Sequence, residues 1–242
     1  MKIDTLHGIL LVNKPAGLTS HDVVDRVRRH FRLFKVGHTG TLDPLATGLL
    51  ILTIGKGTKL TNQLIADQKE YQATCLLGLE TDTQDIQGKV LREGATDQIT
   101  EKEVETVVLS FLGAQEQIPP MFSAKKKDGK KLYELARNGI EVVREPKPIH
   151  IADIQIEAFE LPKFRFLVSC SKGTYIRTLC HDMGQKLKCG GTLFALNRIR
   201  SGPFRLKNAV SLTDLLVHDR EYLKTVLIPL SELNLHESAQ AI

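Results

Sequence analysis

Two spacings of hydrophobic residues recur along the chain, one typical of strands and one typical of helices. Uninterrupted apolar runs predict buried strands, and strict alternation of apolar and polar residues predicts strands with one exposed face. The predicted strands cover residues 8–13, 49–54, 69–79, 88–92, 149–159, 164–170 and 192–200, with a last extended piece at 227–235. The predicted helices cover residues 20–31, 60–65, 100–111, 131–138 and 171–187, with a short one after Ser211.

Capping residues set the boundaries of several predicted helices. Ser20 is expected to cap the first helix, and Thr100 with Glu103 has the spacing of a capping box. Strands and helices follow one another without a regular alternation, and hairpin-like pairs dominate. The predicted fold class is therefore α+β, with a mixed, mostly antiparallel central sheet flanked by helices. No repeat or linker divides the sequence, so one domain spanning residues 1–242 is expected.

A stretch rich in glycine and threonine, residues 35–48, contains a single carboxylate, Asp43, directly before Pro44. The predicted strand 49–54 follows at once, so this stretch should be a loop held at a strand's edge, where reactive side chains are often presented. The proline restricts Asp43 to an extended backbone. Taken alone, however, the loop fits an ordinary glycine-rich turn better than a reactive site.

The basic excess of the chain is concentrated in one segment. The 242 residues carry a net charge of +5, and residues 119–148 hold eight Lys or Arg against four acids, which accounts for +4 of it. This long, turn-bounded segment is predicted to be an inserted arm that projects from the body. A polyanionic partner is favoured. The helix after Ser20 also has a basic face, which is either solvated or directed at phosphates.

Several function classes are disfavoured by the sequence. No apolar run reaches membrane length and no signal-peptide pattern is present, so a cytoplasmic protein with no membrane partner is expected. The four cysteines have no metal-binding spacing, so no metal is expected. Gly55-Lys56-Gly57-Thr58 lacks the first glycine of a P-loop. Neither Ser123 nor Ser171 has the context of a hydrolase serine.

A scattered set of residues could form a site around Asp43. A partly buried carboxylate stays ionised near neutral pH when a guanidinium lies beside it. Arg177 is placed in the first turn of the predicted helix 171–187, where backbone N–H groups and Lys172 would suit a phosphate. Considered alone, Arg177 is more simply interpreted as a surface arginine.

Motifs in register along the chain resemble those of the bacterial tRNA pseudouridine-55 synthases, the TruB family of pseudouridine synthases. The loop 35–48 resembles the catalytic motif of this family. Further matching stretches are residues 11–15, 69–71 with 77–83, 117–124, 130–137 and 170–178, in the order in which the family has them. The resemblance covers residues from about 8 to about 205, and several motifs in the same order make it specific.

The resemblance implies a role for each candidate residue. Asp43 would be the nucleophile or base that lets uracil leave C1′ and return through C5 without a cofactor, whether it acts at C6, at C1′ or on the 2′ proton. Arg177 would pair with Asp43, and Tyr71 would stack on the flipped uracil. His38 would pack against displaced T-loop bases. Tyr175 and Leu196 would line the uracil pocket.

The resemblance also implies the partner and the organisation of the chain. The arm 119–148 would close on the T stem-loop of tRNA, where phosphates supply affinity and the folded shape supplies selection. Many relatives carry a PUA domain, for which the extension 206–242 is too short, so none is expected here. That absence argues against the guide-RNA-dependent relatives, and a monomer is expected. The alternatives are a tRNA-binding or tRNA-folding module with weak catalysis, and a pseudouridine synthase for another RNA.

Overall fold

The computed structural model describes residues 6–65, 68–123, 125–127 and 129–233. The chain divides into two compact units: the first comprises Met1–Tyr71 and Leu196–Ile242, and the second comprises Gln72–Ala195. That residues 1–242 act as one catalytic domain stays a prediction.

The described residues form six α-helices and fifteen strands, several of which are only two residues long. The strands are β1 (Gly8–Lys14), β2 (Val36–Thr39), β3 (Thr47–Ile54), β4 (Gln68–Leu77), β5 (Leu79–Thr81), β6 (Val90–Glu93), β7 (Gly113–Gln117), β8 (Lys126–Lys127), β9 (Lys130–Lys131), β10 (Lys147–Glu160), β11 (Lys163–Ser171), β12 (Gly191–Ser201), β13 (Phe204–Arg205), β14 (Val210–Ser211) and β15 (Ile228–Pro229). The helices are α1 (Ser20–His30), α2 (Glu101–Leu109), α3 (Leu132–Arg137), α4 (Ile176–Lys186), α5 (Leu212–Leu215) and α6 (Arg220–Val226). None of these helices is both long and apolar enough to cross a lipid bilayer.

The first unit is built around β1 and β3, which are buried on both faces, as their uninterrupted apolar sequences predict. They pair antiparallel, and β14 runs parallel to β1. On its other edge, β3 pairs with β2 along Ile51–Ile54 and, in parallel, with the end of β12 at Thr47 and Gly48. One core cluster lies on this sheet and is formed by Ile9, Leu11, Leu49, Ile51 and Leu64.

The second unit is also organised by a sheet, whose order is β12, β4, β11, β10 and β7. The long strands β10 and β11 form an antiparallel hairpin with register shifts near Asp153 and Ala158. β7 adds to the outer edge of β10, also antiparallel. The α+β class and the mixed, mostly antiparallel pairing are therefore confirmed.

Three helix predictions were wrong, and in two of them a side chain expected at the start of the helix has another use. Thr19 caps α1 in a capping box with Asp22, whereas the Ser20 hydroxyl is buried and bonded to Leu42. The helix expected from residue 171 begins only at Ile176, because Ser171 ends β11 and its hydroxyl accepts the His150 N–H. At residues 60–65 a 3₁₀-helix, Gly55–Leu60, leads into a single turn rather than a helix.

Other elements were shifted or not anticipated. The capping box of Thr100 with Glu103 is present, and α2 follows it as predicted. Strand β2 lies within the stretch interpreted as a loop, and β7 and α6 were not predicted. The extended piece expected at 227–235 is β15 followed by a 3₁₀-turn at Leu230–Glu232, and its last two residues lie outside the described part.

Within the predicted arm, residues 119–148, the described residues form the β8–β9 hairpin and α3. The guanidinium of Arg144 donates to the Pro119 carbonyl at 3.1 Å, which ties the two ends of the segment together. Val143 is 84% exposed. The two ends of the arm are therefore joined by a hydrogen bond, and Val143, next to that bond, is at the surface. The boundaries of the arm and its RNA-clamping role stay predictions.

Candidate active site

Asp43 lies half-buried in the loop between β2 and β3. The loop is fixed by its own backbone: the Ala46 N–H donates to the Asp43 carbonyl at 3.1 Å, and the Gly17 N–H donates to the Pro44 carbonyl at 2.8 Å. Ser20 bonds both the N–H and the carbonyl of Leu42. Hydrogen bonds therefore hold the backbone in place before and after Asp43.

Lys14 is a fully buried cation beneath this loop. Its ammonium group donates to the carbonyls of Leu18 at 2.6 Å, Pro15 at 2.9 Å and Pro44 at 3.4 Å. Burial lowers the pKa of Lys14 from its usual 10.5 to about 8, and the charge of Asp43 opposes that fall. Lys14 therefore binds the carbonyl of Pro44, the residue after Asp43, and places a positive charge next to the loop.

Arg198, on β12, is a second buried cation and is 1% exposed. Its Nη2 donates to the Gly40 carbonyl at 3.0 Å, and its Nε donates to the Leu49 carbonyl at 2.8 Å. These two carbonyls flank the loop of Asp43. One rigid guanidinium therefore holds both ends of the loop at a fixed separation.

The end of β12 is joined to the start of β3 by close backbone contact. Thr47 donates its hydroxyl to the Leu196 carbonyl at 3.2 Å. Gly48 has φ +100°, and a Cβ there would overlap the backbone of Arg198. Only glycine fits this position. Leu196, predicted to line the uracil pocket, is buried one residue before this junction.

His38 lies on β2, paired with Leu52 of β3, and is half-buried. Burial lowers the pKa of the imidazole, and the charges of Arg198 and His21 lower it further. Its buried Nδ1 atom has no hydrogen-bond partner among the described residues. The ring is thus neutral at physiological pH and has an unused polar edge, which suits contact with a base. Tyr71, also predicted for the site, is buried near the start of β4 in this same unit.

The second unit holds Arg177, Tyr175 and Lys172. Arg177 is the second residue of α4, as predicted for the first turn, but it is 4% exposed rather than a surface arginine. Its Nη1 donates to the Thr83 carbonyl at 2.7 Å and its Nη2 to the Phe122 carbonyl at 2.9 Å. These two hydrogen bonds therefore fix the position and orientation of the guanidinium.

Asp85 supplies negative charge next to Arg177. Its Oδ2 lies 3.9 Å from the Nε of Arg177. Its Oδ1 accepts bonds from the Thr83 hydroxyl at 2.8 Å and the Gln87 N–H at 3.1 Å. The predicted pairing of Arg177 with Asp43 would join residues of different units, and it stays a prediction.

Tyr175 immediately precedes α4 and is held by Gln117, the last residue of β7. The side-chain amide of Gln117 accepts the Tyr175 N–H at 2.8 Å and donates to its carbonyl at 3.0 Å. The ammonium of Lys125 lies 5.8 Å from the centre of the Tyr175 ring. Lys172 is exposed in the turn before the helix. The orientation of Tyr175 is therefore fixed through its backbone, by a residue at the base of the arm.

Four supporting residues were missed by sequence reasoning: Lys14, Arg198, Asp85 and Gln117. The alternation of β12 could have revealed Arg198, because it shares the buried face with Leu196 two positions earlier. The other three have no such pattern. No cluster of three or more His, Cys, Asp or Glu side chains suited to a metal is found in the described part of the chain.

Two family models match consecutive parts of the chain. The model for the TruB family pseudouridylate synthase (N terminal domain) matches residues 28–176. The model for the tRNA pseudouridylate synthase B C-terminal domain matches residues 177–233.

Curated relatives are similar over most of the chain. The tRNA pseudouridine synthase B of Syntrophotalea carbinolica is 52% identical over 86% of this chain and 68% of its own length. That of Clostridium novyi is 50% identical over 87% of this chain and 72% of its own length. That of Opitutus terrae is 48% identical over 86% of each.

Solved structures with the same fold include a Cbf5–Nop10–Gar1 complex. The matching chain is 29% identical, with a TM-score of 0.70, over 90% of this chain and 55% of that chain. A second is an H/ACA RNP bound to a substrate RNA containing 2′-deoxyuridine, at 25% identity and a TM-score of 0.67, over 96% of this chain and 58% of that chain. The chain thus spans less than two thirds of these structural relatives.

Proposed function

The chain belongs to the TruB family of pseudouridylate synthases, and from that premise we propose that it isomerises the T-loop uridine of tRNAs to pseudouridine. The curated relatives are named as tRNA pseudouridine synthases B. The observation that carries the assignment of the site is the loop of Asp43, whose flanking carbonyls are held by the buried cations Lys14 and Arg198.

The reaction exchanges one glycosidic bond for another. The bond from C1′ to N1 breaks, a bond from C1′ to C5 forms, the C5 proton leaves, and N1 takes up a proton. The change is balanced without an oxidant, a reductant or a second substrate. We therefore propose that Asp43 acts without a cofactor, by attack at C6, by attack at C1′ or by removal of the 2′ proton.

The other residues of the first unit would hold the flipped uridine. Tyr71 would stack on the uracil and Leu196 would line its pocket, consistent with their buried positions. His38 would pack its flat, neutral ring against T-loop bases that are displaced when the target flips out. The pKa of His38, which burial lowers, supports this role because a neutral ring costs less to bury than a cation.

The residues of the second unit would complete the site. Arg177 would pair with Asp43 and orient it, which the rigid attachment of Arg177 to Thr83 and Phe122 supports. Tyr175 would contact the uracil and Lys172 a phosphate. The arm, residues 119–148, would close on the T stem-loop with its charge of +4.

This proposal includes the organisation of the protein. The two units would act as one catalytic domain, with the arm inserted in it and residues 206–242 as its C-terminal extension. The enzyme would act in the cytoplasm as a monomer and would find its substrate by the shape of the T loop, without a guide RNA.

The test is tritium release from a tRNA transcript labelled at C5 of uridine. The unsubstituted protein should release tritium from a single T-loop position. Asp43→Asn should lower the rate by about a hundred- to ten-thousandfold or more, with the Kd for tRNA within about threefold. Asp97→Asn, at an exposed turn, is the matched control and should be unchanged. Appreciable turnover by Asp43→Asn would refute the assignment of Asp43 as the catalytic carboxylate.

Mapping pseudouridine in total RNA from a strain that lacks the gene separates the remaining candidates. Loss at the T-loop position of many tRNAs supports the proposal. Loss at a site in ribosomal RNA would assign another substrate. An unchanged map, together with a defect in tRNA folding, would indicate a binding module instead.

A further inference from the structure

A second basic region lies outside the arm, at the end of α1. Residues 26–35 contain five Lys or Arg and no acid, and they lie in the first unit. With the arm and this segment set aside, the rest of the chain has 20 Lys or Arg against 24 acids. We call the exposed residues of this segment the α1 patch; they are Arg26, Arg29, His30, Arg32, Phe34 and Lys35.

The backbone of the α1 patch is held rigidly. The Leu33 N–H donates to the Arg28 carbonyl at 2.9 Å, and the Arg32 N–H donates to the Arg29 carbonyl at 3.2 Å. These two bonds end the helix in a Schellman-like turn. Leu33 is buried, so its neighbours are directed outward. The guanidinium of Arg220 donates to the Phe31 carbonyl at 2.9 Å and reinforces the same turn.

Arg32 adopts an unfavourable backbone conformation at this turn. Its φ is +51°, in the left-handed region where helix ends usually have glycine or asparagine. A side chain retained there at a cost in stability is a reason to look for a use. A cation at this position is displayed on the surface next to Phe34.

Phe34 is 81% exposed between Arg32 and Lys35. A single exposed aromatic residue is common on protein surfaces and needs no explanation. Here the residue is preceded by Arg32 and followed by Lys35 in the sequence, all three are exposed, and the turn that carries them is fixed. This is the arrangement by which proteins stack an unpaired base while cations hold the adjoining phosphates.

The α1 patch is continuous with the proposed substrate site. Lys35 directly precedes β2, and its carbonyl accepts the Gly55 N–H at 2.9 Å. His38 lies three residues further along, about 10 Å away on an extended strand. A nucleic acid in contact with His38 therefore has neighbouring nucleotides within reach of Phe34.

We propose that the α1 patch binds a second single-stranded segment of the same tRNA, one that an isolated T stem-loop lacks. Phe34 stacks on an unpaired base, and Arg32 and Lys35 contact the phosphates on either side of it. The segment that fits is the D loop, the single-stranded loop that lies beside the T loop in folded tRNA. The inference rests on the proposed function.

The test compares the Kd for a full-length tRNA transcript with the Kd for its isolated T stem-loop. Phe34→Leu keeps an apolar side chain but removes the ring. It should raise the Kd for the full tRNA about fivefold or more and change the Kd for the stem-loop less than about twofold. Phe34→Trp should restore the affinity. Val217→Ala, at another highly exposed apolar residue of the first unit, should alter neither value.

Arg32→Gly separates recognition from folding. Glycine relieves the positive φ, so the variant should be as stable as the original protein or more stable. It should nevertheless bind full-length tRNA more weakly, with the slope of log Kd against log salt reduced by about 0.7 for the lost phosphate contact. Arg32→Lys should keep most of the affinity.

The outcomes distinguish this inference from the function on which it rests. Equal weakening of both RNAs by Phe34→Leu, or no weakening of either, would overturn the α1 patch as a second site while isomerisation by the unsubstituted protein continued. Absence of isomerisation on both RNAs would overturn the proposed function itself.

Discussion

Lys14 makes stability depend on pH in a direction that can be worked out from the structure. Its ammonium is buried among three backbone carbonyls, and its pKa falls from 10.5 to about 8. The protonated form is thus less favourable in the folded than in the unfolded chain, by roughly 3 kcal/mol, since a tenfold change in acidity corresponds to about 1.4 kcal/mol.

The direction of this pH dependence is set by the number of protons that the folded and unfolded states bind. Below about pH 8 both states hold the proton, so the cost is fully present and does not change with pH. Between pH 8 and 10.5 the unfolded state binds more protons than the folded state, so raising the pH relieves the cost. Relative to Lys14→Met, the free energy of unfolding should therefore rise by about 2 kcal/mol between about pH 7 and 9.5.

Urea unfolding followed by far-ultraviolet circular dichroism measures this difference, because titration of all other groups cancels between the two proteins. Lys207→Met, at an exposed lysine, should show the same pH dependence as the original protein. Asp43→Asn removes the charge that opposes the fall in the Lys14 pKa, so the rise should begin at a lower pH. If the free energy of unfolding of the original protein minus that of Lys14→Met stays constant or falls between about pH 7 and 9.5, the reasoning is refuted.

Three further substitutions test the supports of the site. Arg198→Met leaves the carbonyls of half-buried Gly40 and buried Leu49 without their guanidinium donor and should lower the free energy of unfolding by about 2–4 kcal/mol in urea; a loss below about 1 kcal/mol would contradict the attachment of the loop at both carbonyls. Gln117→Leu should cost about 1–3 kcal/mol and lower kcat more than it raises KM, because Tyr175 loses both backbone bonds; unchanged kinetics would count against that positioning. Gly48→Ala should prevent folding or lower Tm by more than about 5 °C, since its Cβ overlaps backbone, whereas Gly17→Ala, with positive φ but open space around it, should be milder.

The elements that were predictable are those whose pattern is local. The alternation through β4 places every second residue from Lys69 to Leu77 on the buried face, close to the predicted bounds. The Thr100 capping box formed because both partners lie within one turn. Strand β2 has neither property: four residues that include a glycine and a histidine become a strand only by pairing with β3, which lies later in the sequence.

The candidate site divides in the same way. Asp43 and Arg177 could be named because motifs resemble a known family. The local sequence also indicates that Arg177 lies in the first turn of its helix. The burial of Lys14 could not be inferred, because long cationic side chains are usually exposed, and that of Arg198 is indicated only by the alternation of β12. Thr19 and Ser20 are both good caps by type. The spacing of Thr19 and Asp22 is a local signal for the cap that is used, whereas the bonds of Ser20 to the distant Leu42 cannot be seen in the sequence.

The hydrogen bonds that hold the site share a property with consequences for its evolution. Arg198, Lys14 and Arg177 all donate to main-chain carbonyls. Such an acceptor persists whatever side chain its residue carries, provided that the chain follows the same path. These hydrogen bonds therefore place no constraint on the side chain of the accepting residue, whereas they do constrain the donors and the path of the backbone. Contacts between a side chain and a main-chain carbonyl should therefore leave no coevolving pairs of residue types, even though the segments that they join are strongly coupled.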